Sequence, residues 1–267
     1  MNDAPVRRPC IFCGSTENKL TNQHVFAEQL RERFEDVIGE EGVTSIRTCS
    51  EPPREFPSAP FADKIGGFCN KCNEGWMEDI ENQAISILDT MMTGGFPRTL
   101  TPSDQLSLST FAVLSALVLD HQVPKNRVVP DAEYDAFDSK QTPLDHHIVW
   151  IGKTDPRVDN LVVAMRKGRV RSIQADTHPD LVRILQEAMS NGQWIYAFTF
   201  SIGFVVFQVM GHDIPAALNV NVGPDHFRVL DRIWPVQGDI VWPSKDSVIT
   251  LGRLDNLHEL IAGVTPP

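Results

Sequence analysis

The chain has 267 residues, of which 42% are hydrophobic, and carries a formal net charge of −11. That length supports one large domain or two modest ones with an ample core, and the negative balance excludes non-specific capture of polyanions by the surface as a whole. No apolar run reaches the roughly 18 residues of a membrane span, and MNDAPVRRPC lacks the apolar stretch of a signal peptide, so the expectation is a cytoplasmic protein without a membrane partner.

In chain order, Cys10 and Cys13 form the first CxxC pair, and TNQHVFAEQLRERFEDVI follows. The spacing of Val25, Phe26, Leu30, Phe34 and Val37 predicts a short amphipathic helix beginning near His24. Residues 39–67 are rich in Gly, Pro and charge, which predicts an irregular excursion. Cys69 and Cys72 then open a helix. Trp76, Ile80, Ala84, Ile87, Leu88 and Met91 share one of its faces, and Gly94 and Gly95 close it.

A second helix starts at the cap Thr101 with Pro102 in its first position, and its apolar run from Phe111 to Leu119 predicts burial. VPDAEYDAFDS predicts a shorter helix ended by Pro143. From Leu144 the texture becomes β-rich in HHIVWIGK, NLVVAMRKGRVRSI, WIYAFTFSIGFVVFQVMG and GDIVWPS, with helices expected at HPDLVRILQEAMSNG and LDNLHELIAG. The fold class expected is α+β: a zinc-binding unit over 1–95, a helical connector over 96–143, and a mostly antiparallel β-rich domain over 144–267.

Two CxxC pairs are what a tetrahedral zinc site requires, because each turn aims two sulfurs at one point. Cys10, Cys13, Cys69 and Cys72 are therefore the expected ligands of a structural zinc ion. Cys49 is left over and reads as a free thiol. Four thiolates close the coordination shell, so this zinc is a staple and does no chemistry.

CIFCG, LTNQHVFAEQL and CNKCNEGWMEDIE, taken together, resemble the HNH (ββα-metal, treble-clef) endonucleases in their four-cysteine zinc branch. The likeness is to bacterial and phage proteins carrying an EHVFP.WL stretch and a C..CN.GWM...E stretch. It covers residues 8 to 95 and is most specific at CNKCNEGWM. The resemblance implies a metal-dependent nuclease in which His24 is the general base that activates water and Asn73 helps hold a catalytic Mg²⁺ or Mn²⁺. Such a pairing is chemically coherent, since phosphodiester hydrolysis needs a base and a hard cation. The implied partner is nucleic acid, DNA ahead of RNA. This chain departs from the pattern in having Gln23 where the family has Asp or Glu, and Asp63 or Lys64 near the place of the middle Asn; Asp63 could orient the imidazole or replace the lost ligand. The alternative is a zinc-stapled binding protein without catalysis, a host or phage factor that meets a protein partner or a second copy of itself.

Glu78, Asp79 and Glu81 read as solvated helix charge that suits the helix dipole, and Trp76 as a core anchor. Asp145, His146 and His147 resemble a phosphoesterase signature without its companion motifs, and adjacent histidines at a strand start are expected to point to opposite faces and share no metal. Arg166, Lys167, Arg169 and Arg171 read as a basic hairpin tip or exposed strand face.

Overall fold

The computed structural model describes residues 8–26, 30, 43–48, 54–56, 64–122, 124–155, 161–169, 187, 190–214, 229–244 and 248–250, with 43–48, 54–56 and 161–169 as backbone only. Asp63, Cys49, Arg171 and the predicted C-terminal helix at 254–263 lie outside them, as does most of the helix expected at 178–192.

The architecture is α+β with mostly antiparallel sheets and an N-terminal four-cysteine cluster. Strand β1 (Leu20–His24) pairs with β4 (Lys64–Cys69) in a two-stranded antiparallel sheet. A seven-stranded sheet runs in the order β10-β6-β9-β8-β7-β2-β3. Its strands are β2 (Val43–Thr48), β3 (Arg54–Phe56), β6 (His147–Lys153), β7 (Leu161–Arg169), β8 (Ile195–Ile202), β9 (Val205–His212) and β10 (Leu230–Trp234). Every neighbouring pair is antiparallel except β2 with β7. A third pair joins β5 (Arg98–Leu100) to β11 (Ile240–Trp242).

The helices are α1 (Glu78–Gly94), α2 (Pro102–Asp120) and α3 (Asp131–Lys140). α3 stops at Lys140, short of the Pro143 expected to end it. Thr101 and Asp104 close a reciprocal capping box on α2. Gly95, at φ 62°, takes the left-handed turn that ends α1, as Gln141 at φ 52° does for α3. From Gln105 to Asp120, α2 is buried nearly all round, with Phe111 meeting Phe207 of β9 at 6.1 Å. The C-terminus of α1 docks on the β8–β9 turn, where the Phe204 amide donates to the Met92 carbonyl at 3.0 Å. Among the described residues, no helix is long and apolar enough to cross a membrane.

Three expectations are corrected. His24 ends a strand, and Val25 and Phe26 form a buried bend, so no helix begins at His24 itself; beyond them, up to Val37, only Leu30 of the predicted helix is described, and it is helical and buried. Inside the supposedly irregular excursion lie β2 and β3, the edge of the large sheet, because β2 pairs in parallel with β7. Of the two readings of Arg166, Lys167 and Arg169, the hairpin tip is corrected and the strand is found: they belong to β7, flanked by β2 and β8, so Gly168 is a strand residue and not a turn.

Candidate functional site

The first CxxC folds into a tight knuckle. The Gly14 amide donates to the Cys10 carbonyl at 3.0 Å, and Gly14 sits at φ 63°. The Ile11 amide donates to the Gly67 carbonyl at 2.9 Å, which seats the knuckle on β4. A register shift falls between Thr21 and Asn22, with Gly67 left unpaired between Gly66 and Phe68. Gly67 has φ 114°, and a Cβ there would lie 2.6 Å from Ile11 Cδ1. Gly67→Ala is therefore expected to cost about 1–3 kcal/mol and to speed loss of zinc to a chromophoric chelator. Release at the wild-type rate would show that the bulge accepts a side chain.

β4 runs straight into the helix, so Cys69 ends the strand and Cys72 lies in the first helical turn. The Sγ atoms of Cys10 and Cys72 are 3.9 Å apart, those of Cys13 and Cys69 3.7 Å, and all four lie within 4.8 Å of one another. A tetrahedron with Zn–S bonds of about 2.3 Å has edges of about 3.8 Å. The cluster thus has the donor set and spacing of a structural zinc site. Without a cation the thiols compete for protons. Burial, then the Cys13 and Cys69 thiols, push Cys72 far up; burial raises Cys13 too. Burial also works to raise Cys69, but hydrogen bonds from the Cys72 backbone and thiol leave it lowered. Phe12, inside the knuckle, packs against Trp76 at 5.0 Å and Tyr134 at 5.8 Å, so Trp76 is the core anchor expected.

Between Cys72 and α1 the helix is kinked within Asn73–Met77, where Gly75 leaves helical geometry at φ −117° and ψ −118°. Asn73, just before the kink, reaches β1, where its Nδ2 donates to Thr21 Oγ1 at 3.0 Å. Two residues along the same strand face, Gln23 Nε2 donates to Glu81 Oε1 at 2.8 Å. Gln23 is 5% exposed. Glu81 is partly exposed yet bonded to a buried partner, and so is more than solvated helix charge: burial, then the neighbouring Glu78, push its carboxyl up to about 8, against the lowering bond from Gln23. The available signal was its position, since Met77, Ala84 and Ile85, four before and three and four after it, are all buried.

His24 is half-buried at the end of β1, opposite Lys64. Strand alternation places it on the face of Asn22, away from the face where Thr21 and Gln23 meet the helix. Asn73 and His24 thus attach to one strand from opposite faces.

A second cluster was missed by sequence reasoning. His146 lies in the turn before β6, so strand alternation does not apply to it, and both histidines reach Glu133 of α3. His146 Nε2 is 2.9 Å and His147 Nε2 3.0 Å from Glu133 Oε2; the Tyr196 hydroxyl donates to the same oxygen at 3.2 Å. The spacing would suit a metal ion, yet the hydrogen bonds decide otherwise. His147 Nδ1 accepts the Leu144 backbone N–H at 3.0 Å, so the ring proton of the neutral imidazole sits on Nε2 and leaves no lone pair there for a metal. Burial keeps His147 low despite the pull of Glu133. Burial also opposes charge on Glu133, but the bonds from His146 and His147 outweigh it and hold the carboxyl at about 2. The cluster is a carboxylate saturated by donors that pins α3 to the sheet.

Comparison with protein-family models, with curated proteins and with solved structures yields no match for this chain.

Proposed function

We propose that the N-terminal unit is an HNH-like, treble-clef nuclease module that hydrolyses nucleic-acid phosphodiester bonds with His24 as general base. One observation carries the reading: a four-cysteine cluster clamps a knuckle, a two-stranded hairpin and a helix start together, with His24 on the hairpin and Asn73 of the helix bonded to the same strand. The residue before His24 faces the helix, the placement that the resemblance implies for a cation ligand.

The chemistry follows from these residues. A half-buried imidazole at a strand end can take a proton from water and hold it. Asn73 and Glu81 offer oxygen donors on the helix side of β1, a set suited to a hard cation such as Mg²⁺ or Mn²⁺. That ion would neutralise charge on the phosphate and the leaving oxygen. Arg8, Lys19, Lys64 and Lys71 are exposed around the knuckle and hairpin and give an acidic chain a local surface for the polyanion.

The test is cleavage of plasmid DNA and of a structured RNA with Mg²⁺ or Mn²⁺. His24→Ala is expected to cost about 10²–10⁴-fold in rate while zinc content stays unchanged. Cleavage that survives the substitution removes the mechanism.

A second reading, a zinc-stapled binding protein without catalysis, draws on the opposite facing of His24 and Gln23. It expects no cleavage with any divalent cation.

A further inference from the structure

The geometry points to a binding site for a small alkylguanidinium compound in the cavity beside Trp76, between α1, α2 and the end of α3. It stands independently of the nuclease reading. Trp76 and the start of α1 form one wall, α2 the second, and the turn after α3 the third. The cavity holds about 260 Å³. Cofactor and drug-sized ligands occupy about 300–1,000 Å³, so this space suits one small group on an apolar stem.

Its electrostatics select a cation. Asp79 is the one ionisable side chain that lines it among the described residues, and that carboxylate is exposed and makes no hydrogen bond or ion pair there. Gln141 lines the third wall as the left-handed end of α3, so the negative pole of that helix borders the same space. Lys140, in the last turn of α3, is exposed and lies outside the lining.

The remaining walls decide which cation. A hard metal ion needs several oxygens in one shell, whereas here a single carboxylate shares the cavity with the half-buried Trp76 ring and the aliphatic side chains of Ile80 and Leu106. An indole attracts an organic cation through its ring quadrupole. Guanidinium is favoured over ammonium because it is planar, more weakly hydrated and stacks on aromatic rings. Its spread donors match several separate acceptors: the Asp79 carboxylate and the amide oxygens of Gln83 and Gln141, whose side chains make no hydrogen bond among the described residues. The stem then covers Ile80 and Leu106, the latter 36% exposed.

The experiment titrates butylguanidinium into the full zinc-loaded chain by isothermal calorimetry, with butylurea as the neutral isostere. One saturable site with a Kd of about 0.1–1 mM is expected, and butylurea should bind at least about tenfold more weakly. Asp79→Asn should weaken butylguanidinium at least about tenfold while melting temperature and zinc content stay unchanged, since Asp79 is exposed and bonded to nothing among the described residues. Gln83→Lys, which sets an ammonium in the same wall, should abolish binding. Asp135→Asn removes an exposed acid of α3 that does not line the cavity and should leave the Kd as it is. No saturable binding up to about 10 mM, or equal binding of butylurea, overturns the inference. Equal weakening in Asp79→Asn and Asp135→Asn overturns it too, because the cation would then be drawn only by the overall negative charge of the chain.

Discussion

Cys72→Ser is expected to abolish zinc retention and to lower the melting temperature by more than about 10 °C. Three thiolates and a hydroxyl hold zinc poorly, and in small zinc domains the ion contributes about 10–16 kcal/mol of apparent binding free energy at neutral pH. Here the cluster is the junction of three pieces: the Cys10–Cys13 knuckle, the end of β4 and the first helical turn. Phe12 and Trp76 carry the consequence into the core, since both pack on Phe137 of α3, at 6.3 and 6.0 Å. Loss of the ion should therefore loosen α3 as well as the hairpin. Because all four thiols must ionise to bind the ion and burial pushes Cys72 strongly up, zinc affinity should fall as pH falls. Metal analysis with calorimetry, before and after a chelator, checks both points; a chelated chain that melts as the native one does would show that the cluster holds nothing together.

Glu133→Ala should be the most damaging change outside the cysteines, costing roughly 3–5 kcal/mol, because His146 and Tyr196 lose their acceptor, His147 keeps only the Tyr196 hydroxyl at 2.9 Å, and the last two are fully enclosed. The pH dependence has a definite sign. Glu133 is held at about 2 in the folded chain against an ordinary value of 4.5, so its contribution is complete above about pH 4.5 and is lost as pH falls towards 2. That window is worth roughly 3 kcal/mol. His147 adds to the acid sensitivity earlier: it is kept neutral when folded, so protons favour the unfolded chain once pH drops below the ordinary histidine value of 6.5. Urea midpoints measured from pH 7 to pH 2 should fall in those two stages, and Glu133→Gln should flatten the lower one. A profile unchanged by that substitution would mean the carboxylate is not the hub.

What could be read from the sequence was local. The two CxxC pairs, the cap at Thr101, the glycine stop at Gly95 and the dense strands of the C-terminal half each depend on contacts within a few residues, or on a fixed ligand chemistry that spacing exposes. Those are the scales on which periodicity, capping and coordination operate. The strand at His24 was hidden because its partner, β4, lies beyond a long intervening segment and its register turns on the bulge at Gly67.

The sequence by itself determined the four-cysteine cluster, the capped helices and the α+β class, since each is dictated by residues near in the chain or by the geometry a tetrahedral thiolate site requires. Only tertiary structure decided that β2 joins β7 and that Glu81 meets Gln23 across 58 positions. It alone, too, brought His146 and His147 onto one carboxylate rather than to opposite faces. The reason is physical: a buried polar group takes whichever partner the packed register presents, and that register is set by every element of the core at once.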